Sequence, residues 1–137
     1  MSNILLPDGI IGTTLNRVEE LLWLDDTDES ARPMREAMGL VCGEYSVLTR
    51  ALGDTSELVV TLGSLECTES EHTIVDASEN PRYQRFIGKT IRNWWQATNK
   101  QGYADCFLIA LEANSGLCFV AINNEVSVLT VEGEQLS

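Results

Sequence analysis

From residue 40 onward, short apolar runs alternate with turn residues. The runs 45–52 and 57–63 flank Gly53-Asp54-Thr55-Ser56 and predict a β-hairpin. Residues 73–76 read as a further short strand, after a polar loop over 64–71. The last third is the most regular. Runs at 103–111, 117–122 and 125–131 are separated by Asn114-Ser115-Gly116 and Asn123-Asn124, residues that tolerate the positive φ of tight hairpin turns. The run 86–96 fits either period. Its β-branched and aromatic content favours a strand, ended by a turn at Asn99-Lys100-Gln101-Gly102. Together these predict a four-strand antiparallel meander.

The first third has a different texture. Leu15, Val18, Leu21 and Leu22 fall on one helical face behind a capping threonine, which predicts a helix over 13–24. Partial alternation of Val18, Glu20, Leu22 and Leu24 leaves a strand open there. Ser30 followed by Pro33 predicts a short second helix to Met38, with Gly39 as its stop. The fold class expected is therefore α+β: a mainly antiparallel sheet of six to eight strands with one or two N-terminal helices. One domain spans 1–137, with an irregular lead-in over 1–13 and a polar tail over 132–137. The runs 106–111 and 117–122 are apolar on both faces, so both faces need cover. The helices would supply one cover, and a second sheet or a partner subunit the other.

Charge narrows the function classes. The 137 residues carry 21 Asp+Glu against 9 Lys+Arg, a formal charge of −12. Such a surface repels phosphate backbones and attracts basic partners. Five of the bases (Arg82, Arg85, Lys89, Arg92, Lys100) cluster in 81–100, which holds no acid, and are expected to neutralise neighbouring acids in the fold. No apolar run reaches the length of a membrane span, and the first residues lack a signal peptide's basic and apolar regions. The expected location is cytoplasmic.

Catalytic and metal chemistry find little support. Cys42, Cys67, Cys106 and Cys118 form no C-x-x-C pair, and Cys106 and Cys118 sit in apolar runs as small hydrophobes. Cys67 and His72, flanked by glutamates, match no established metal-ligand spacing. His72, the single histidine, opens a strand as an edge residue. Phosphate loops, nucleophile elbows and H-E-x-x-H motifs are absent from the sequence. The expectation is a non-enzymatic protein with no cofactor and no metal.

The stretch Ile87-Gly88-Lys89-Thr90-Ile91, then Asn99-Lys100-Gln101-Gly102-Tyr103-Ala104-Asp105, then Leu117-Cys118-Phe119-Val120-Ala121 resembles small bacterial domains of the immunity-protein type. The resemblance covers about a third of the chain and rests on turn and strand residues. It implies a protein that neutralises a cognate toxin by direct binding, and it carries no active site.

Candidate partner-binding residues follow from charge and interface chemistry. Asp25, Asp26, Asp28 and Glu29 offer a carboxylate cluster to a basic partner. Arg92 and Trp94 combine two side chains favoured as interface anchors. Tyr103 and Asp105 place a phenol near a carboxylate, although an Asp holding turn amides is the simpler reading. The partner expected is a basic toxin or nucleic-acid-processing enzyme, without direct nucleic-acid or membrane contact; a second copy of the chain is the other candidate. Two further readings compete: a phage-type inhibitor that mimics nucleic-acid charge, and a small-molecule or catalytic pocket near Trp95, Tyr103 and Asp105.

Overall fold

Alternation along the chain resolves into two antiparallel sheets in a computed structural model that describes residues 6–24, 32–52, 57–67, 72–122 and 124–132. The first sheet contains β1 (Leu15–Trp23), β2 (Met34–Cys42), β3 (Tyr45–Leu52), β4 (Glu57–Leu62) and β5 (His72–Asp76), in the order β4-β3-β2-β1-β5. The second contains β6 (Ile91–Thr98), β7 (Ala104–Leu111), β8 (Ser115–Ile122) and β9 (Glu125–Glu132), in the order β6-β7-β8-β9. The predicted meander is this second sheet. The two sheets pack face to face, β3 over β8 and β9 and β4 over β7, as a β-sandwich.

The α+β expectation is overturned. Among the described residues the only helical pieces are a 3-10 turn at Asp8–Ile10 and one α turn, α1 (Pro81–Gln84). The segment read as a first helix is β1, and bulged pairing explains why it mimics one. The register slips between Leu15 and Arg17, so Leu15 and Val18 face the same core although three residues apart. Beyond the bulge, Leu21 turns to the opposite side and packs with Ala37 and Leu65. The second predicted helix is largely β2, where Met38, Leu40 and Cys42 alternate inward. Gly39 ends nothing. It lies mid-strand beneath Leu65, whose Cγ would stand 3.2 Å from an added Cβ. Leu65 thus caps the outer side of the first sheet.

Between the sheets lies the main core, centred on Phe107, Phe119, Leu117, Tyr83 and Phe86, all fully buried. Phe107 stands between Trp94 and Phe119, with ring centroids 6.1 Å away on each side. Tight turns set the second sheet's register. Ala113 and Asn114 adopt φ of 63° and 52° at the β7–β8 turn, and Asn124 adopts 68° at the β8–β9 turn. At the β6–β7 turn, Asn99 Oδ1 accepts from the amides of Gln101 (2.9 Å) and Tyr103 (3.2 Å). The turn-holding role considered for Asp105 belongs to Asn99.

Backbone bonds also join the sheets. Ile91 N–H donates to Thr13 O and Gly12 N–H to Ile91 O, each at 2.8 Å. Leu15 N–H donates to Lys89 O at 3.0 Å and Gly88 N–H to Leu15 O at 2.8 Å. The starts of β1 and β6 therefore share one antiparallel ladder. The crossover from β5 to β6 runs through α1, whose start is capped by Asn80 accepting from Arg82 N–H at 2.9 Å.

Candidate functional site

The second sheet has a core face and an open face. Paired outward positions include apolar Trp95 on β6, Leu108 and Ala110 on β7, Val120 and Ile122 on β8, and Leu129 and Val131 on β9, with polar Asn93 on β6 and Ser127 on β9. Trp95 and Ile122 are each 49% exposed and Leu129 59%. Among the described residues at paired outward positions, only Glu125 is charged, and it sits at the start of the edge strand. No described segment covers this side as Leu65 covers the first sheet. Of the two covers expected for the central strands, the first sheet supplies one and nothing described supplies the other.

A bulge decides which tryptophan reaches this surface. The β6–β7 register slips between Ile91 and Asn93, so Arg92 is the extra residue. Ile91 opposite Leu111 and Trp94 opposite Ile109 both face the core, and Trp95 opposite Leu108 faces out. Trp94, proposed from the sequence as a contact residue alongside Arg92, is partly buried and packs on the core-facing side against Phe107; Arg92 is exposed. Tyr103 is 41% exposed just before β7, and Asp105 sits half-buried where the β6–β7 register slips again. Asp25, Asp26, Asp28 and Glu29 lie outside the described residues.

Cys106 and Cys118 also belong to the open face. Their sulfurs are 3.2 Å apart across β7 and β8, and both residues are half-buried rather than in the core. Desolvation, with the Cys118 thiol as a second cause, pushes the Cys106 thiol up to about 12. His72 is on edge strand β5, with Nε2 2.8 Å from Glu36 Oε2, and Cys67 Sγ lies 3.6 Å from its carbonyl. Among the described residues no three potential metal ligands converge. Within the basic segment, Arg85 Nε pairs with Glu132 at 2.6 Å and its guanidinium lies 4.9 Å from the Phe86 ring centre. Lys89 Nζ donates to Ser115 Oγ at 3.2 Å.

A second feature was not legible in the sequence. A cleft of about 390 Å³ opens between β9 and the β1–β2 end of the first sheet. None of Trp95, Tyr103 or Asp105, the residues of the sequence-derived pocket, lines it. Arg32, Arg35 and Arg82 line it, with Glu20 and Glu125. Glu20 is 7% exposed, in the middle of the apolar run that suggested a helix. It accepts from Arg35 Nε and from Tyr83 Oη, the latter at 3.3 Å. Burial and the Glu20 carboxylate push the Tyr83 phenol up to about 12, so it remains an O–H donor at neutral pH. Arg35 Nη1 donates to Val126 O at 3.0 Å. Arg32 grips Glu125 through both nitrogens at 2.7 and 2.6 Å, and this hydrogen bonding holds the Glu125 carboxyl below its ordinary range. Nothing along the sequence announces this cleft, because its charged residues come from five separated positions.

No helix among the described residues is long and apolar enough to cross a membrane. Comparison with curated proteins and with solved structures gives no significant match. A family model does match, over residues 1–135, a span that contains all nine described strands. By that match the chain belongs to DUF6334, a family of unknown function.

Proposed function

We propose that this chain is a non-enzymatic binding protein whose second sheet docks a basic partner protein through its open face. The observation that carries the reading is the uncharged, mainly apolar surface of exposed Trp95, Ile122, Leu129 and Val131 around half-buried Leu108, on a chain of net charge −12. Contiguous exposed apolar surface of this kind marks interaction sites. Four strands about 4.8 Å apart and eight residues long at about 3.3 Å each span roughly 500 Å² in projection. That is the scale of one side of a standard interface, about 800 Å² of accessible surface once corrugation is counted. The surrounding acidity steers a basic protein toward the face and disfavours two like-charged copies. The C-terminal resemblance to immunity-protein-type domains supports a toxin as that partner.

The test begins with capture from the native host, using the wild-type chain and Leu129→Asp as parallel baits, followed by reconstitution from purified components. The expected result is a one-to-one complex whose association slows as salt rises and whose affinity falls tenfold or more in Leu129→Asp. A purified partner that binds both baits equally overturns the reading. So does a wild-type dimer that Leu129→Asp dissociates, which would put a second copy on the face.

A further inference from the structure

The cleft borders the docking face at Glu125 and Ser127, but Trp95, Ile122 and Leu129 do not line it. We propose that it is a binding site for a small oxyanion ligand, a phosphate ester or carboxylate, with Arg82 as its principal anchor. The chain as a whole carries −12, yet among the described residues the charged ones lining this cleft are three arginines and two glutamates, a net +1. The two carboxylates are already engaged. Glu125 is held bidentately by Arg32, and Glu20 receives Arg35 and the Tyr83 hydroxyl. The surplus positive charge is therefore that of Arg82, which no described carboxylate pairs with; its side chain meets the Tyr83 hydroxyl oxygen, which leaves further guanidinium donors, and its own backbone N–H is taken by Asn80.

The wall opposite is preorganised. Arg35 is fixed by Glu20 on one side and by the Val126 carbonyl on the other, and its fork has donors beyond those two bonds. A guanidinium held this way loses little freedom when it meets a planar or tetrahedral oxyanion. The Glu20–Arg35 pair, with Glu20 buried and Arg35 partly so, is also an expensive way to close a sandwich. Apolar residues of similar volume commonly give equal or greater stability. Its place in the wall of a cleft is accounted for if it orients Arg35 toward a ligand. The volume of about 390 Å³ lies within the range of small-molecule sites, roughly 300–1,000 Å³.

The experiment is calorimetric titration of the full chain with inorganic phosphate, a sugar phosphate and citrate, at matched ionic strength, for wild type and Arg82→Gln. Arg82 is exposed, so its loss leaves the fold intact, and a thermal melt of each variant checks this. The expected result is saturable one-to-one binding of at least one probe, weakened tenfold or more in Arg82→Gln. Preference for the two phosphates over citrate assigns a phosphate ligand, and the reverse assigns a carboxylate. Absence of saturable binding for all three probes, or equal binding by Arg82→Gln, overturns the proposal. Leu129→Asp is expected to bind the probe as wild type does, which separates this site from the docking reading.

Discussion

Replacing each of the adjacent tryptophans by alanine tests the bulge at Arg92 directly. Trp94 packs on Phe107 at 6.1 Å between ring centres, with the planes tilted by 52°. Full burial makes a Phe or Trp to Ala change cost about 3–5 kcal/mol. Trp94 is only partly buried, so about 2–4 kcal/mol is expected, including an aromatic contribution of roughly 0.5–1.5 kcal/mol from the Phe107 contact. Trp95 is 49% exposed and faces Leu108 across the strand pair. Its loss forfeits a cross-strand contact of about 0.2–1 kcal/mol. With a urea m value of about 1.5 kcal/mol/M, Trp94→Ala lowers the unfolding midpoint by about 2 M and Trp95→Ala by about 0.3 M. Far-UV circular dichroism reads both transitions without relying on the removed fluorophores. Acrylamide, a neutral quencher, should lose its most accessible emitter only in Trp95→Ala. Equal midpoints, or the reverse order, would mean that the strand alternates without the bulge, and the open face would have to be redrawn.

Other expectations follow from the same geometry. Mild iodoacetamide at pH 8 should alkylate exposed Cys67 first, and Cys42 only on unfolding, since burial pushes its thiol up to about 12; mass spectrometry of peptides gives the order. Because Arg32 lowers the Glu125 carboxyl in the folded state, that group contributes stability above its unfolded value of about 4.3 and loses it as pH falls through the folded value. Urea midpoints of the wild type should therefore drop more steeply than those of Glu125→Gln below about pH 4.3; parallel acid limbs would contradict the pairing. Gly43→Ala should cost about 1 kcal/mol or more, because φ is +61° and the new Cβ meets Thr13 Cβ and Cγ2 at 3.1 Å; an unchanged melting temperature would refute that contact.

The legible parts of the fold are those where turn chemistry and alternation agree. Asn114, Asn124 and the Asn99–Gly102 turn mark the hairpin ends of the second sheet, and the runs between them form its strands. The first sheet is obscured by local irregularity. One extra residue near Asn16 gives Leu15 and Val18 a helical spacing, and Gly39 imitates a stop because a glycine making room for Leu65 looks no different in sequence. A bulge likewise hides the tryptophan face, since strict alternation puts Ile91 and Trp95 on one side and the structure separates them. The arginine cleft depends on long-range pairings such as Arg32 with Glu125 and Tyr83 with Glu20, which carry no local periodicity.

The ladder that ties residues 12–15 to 88–91 has a consequence for how the molecule can be taken apart. A nick between β5 and α1 would sever the covalent connection between the sheets, yet each fragment would keep one half of the seam. The N-terminal piece ends up with an unzipped border at Thr13 and Leu15, and the C-terminal piece with the matching border at Lys89 and Ile91. Such a pair is built for fragment complementation: two separately expressed halves whose reunion restores both the seam and the shared interior.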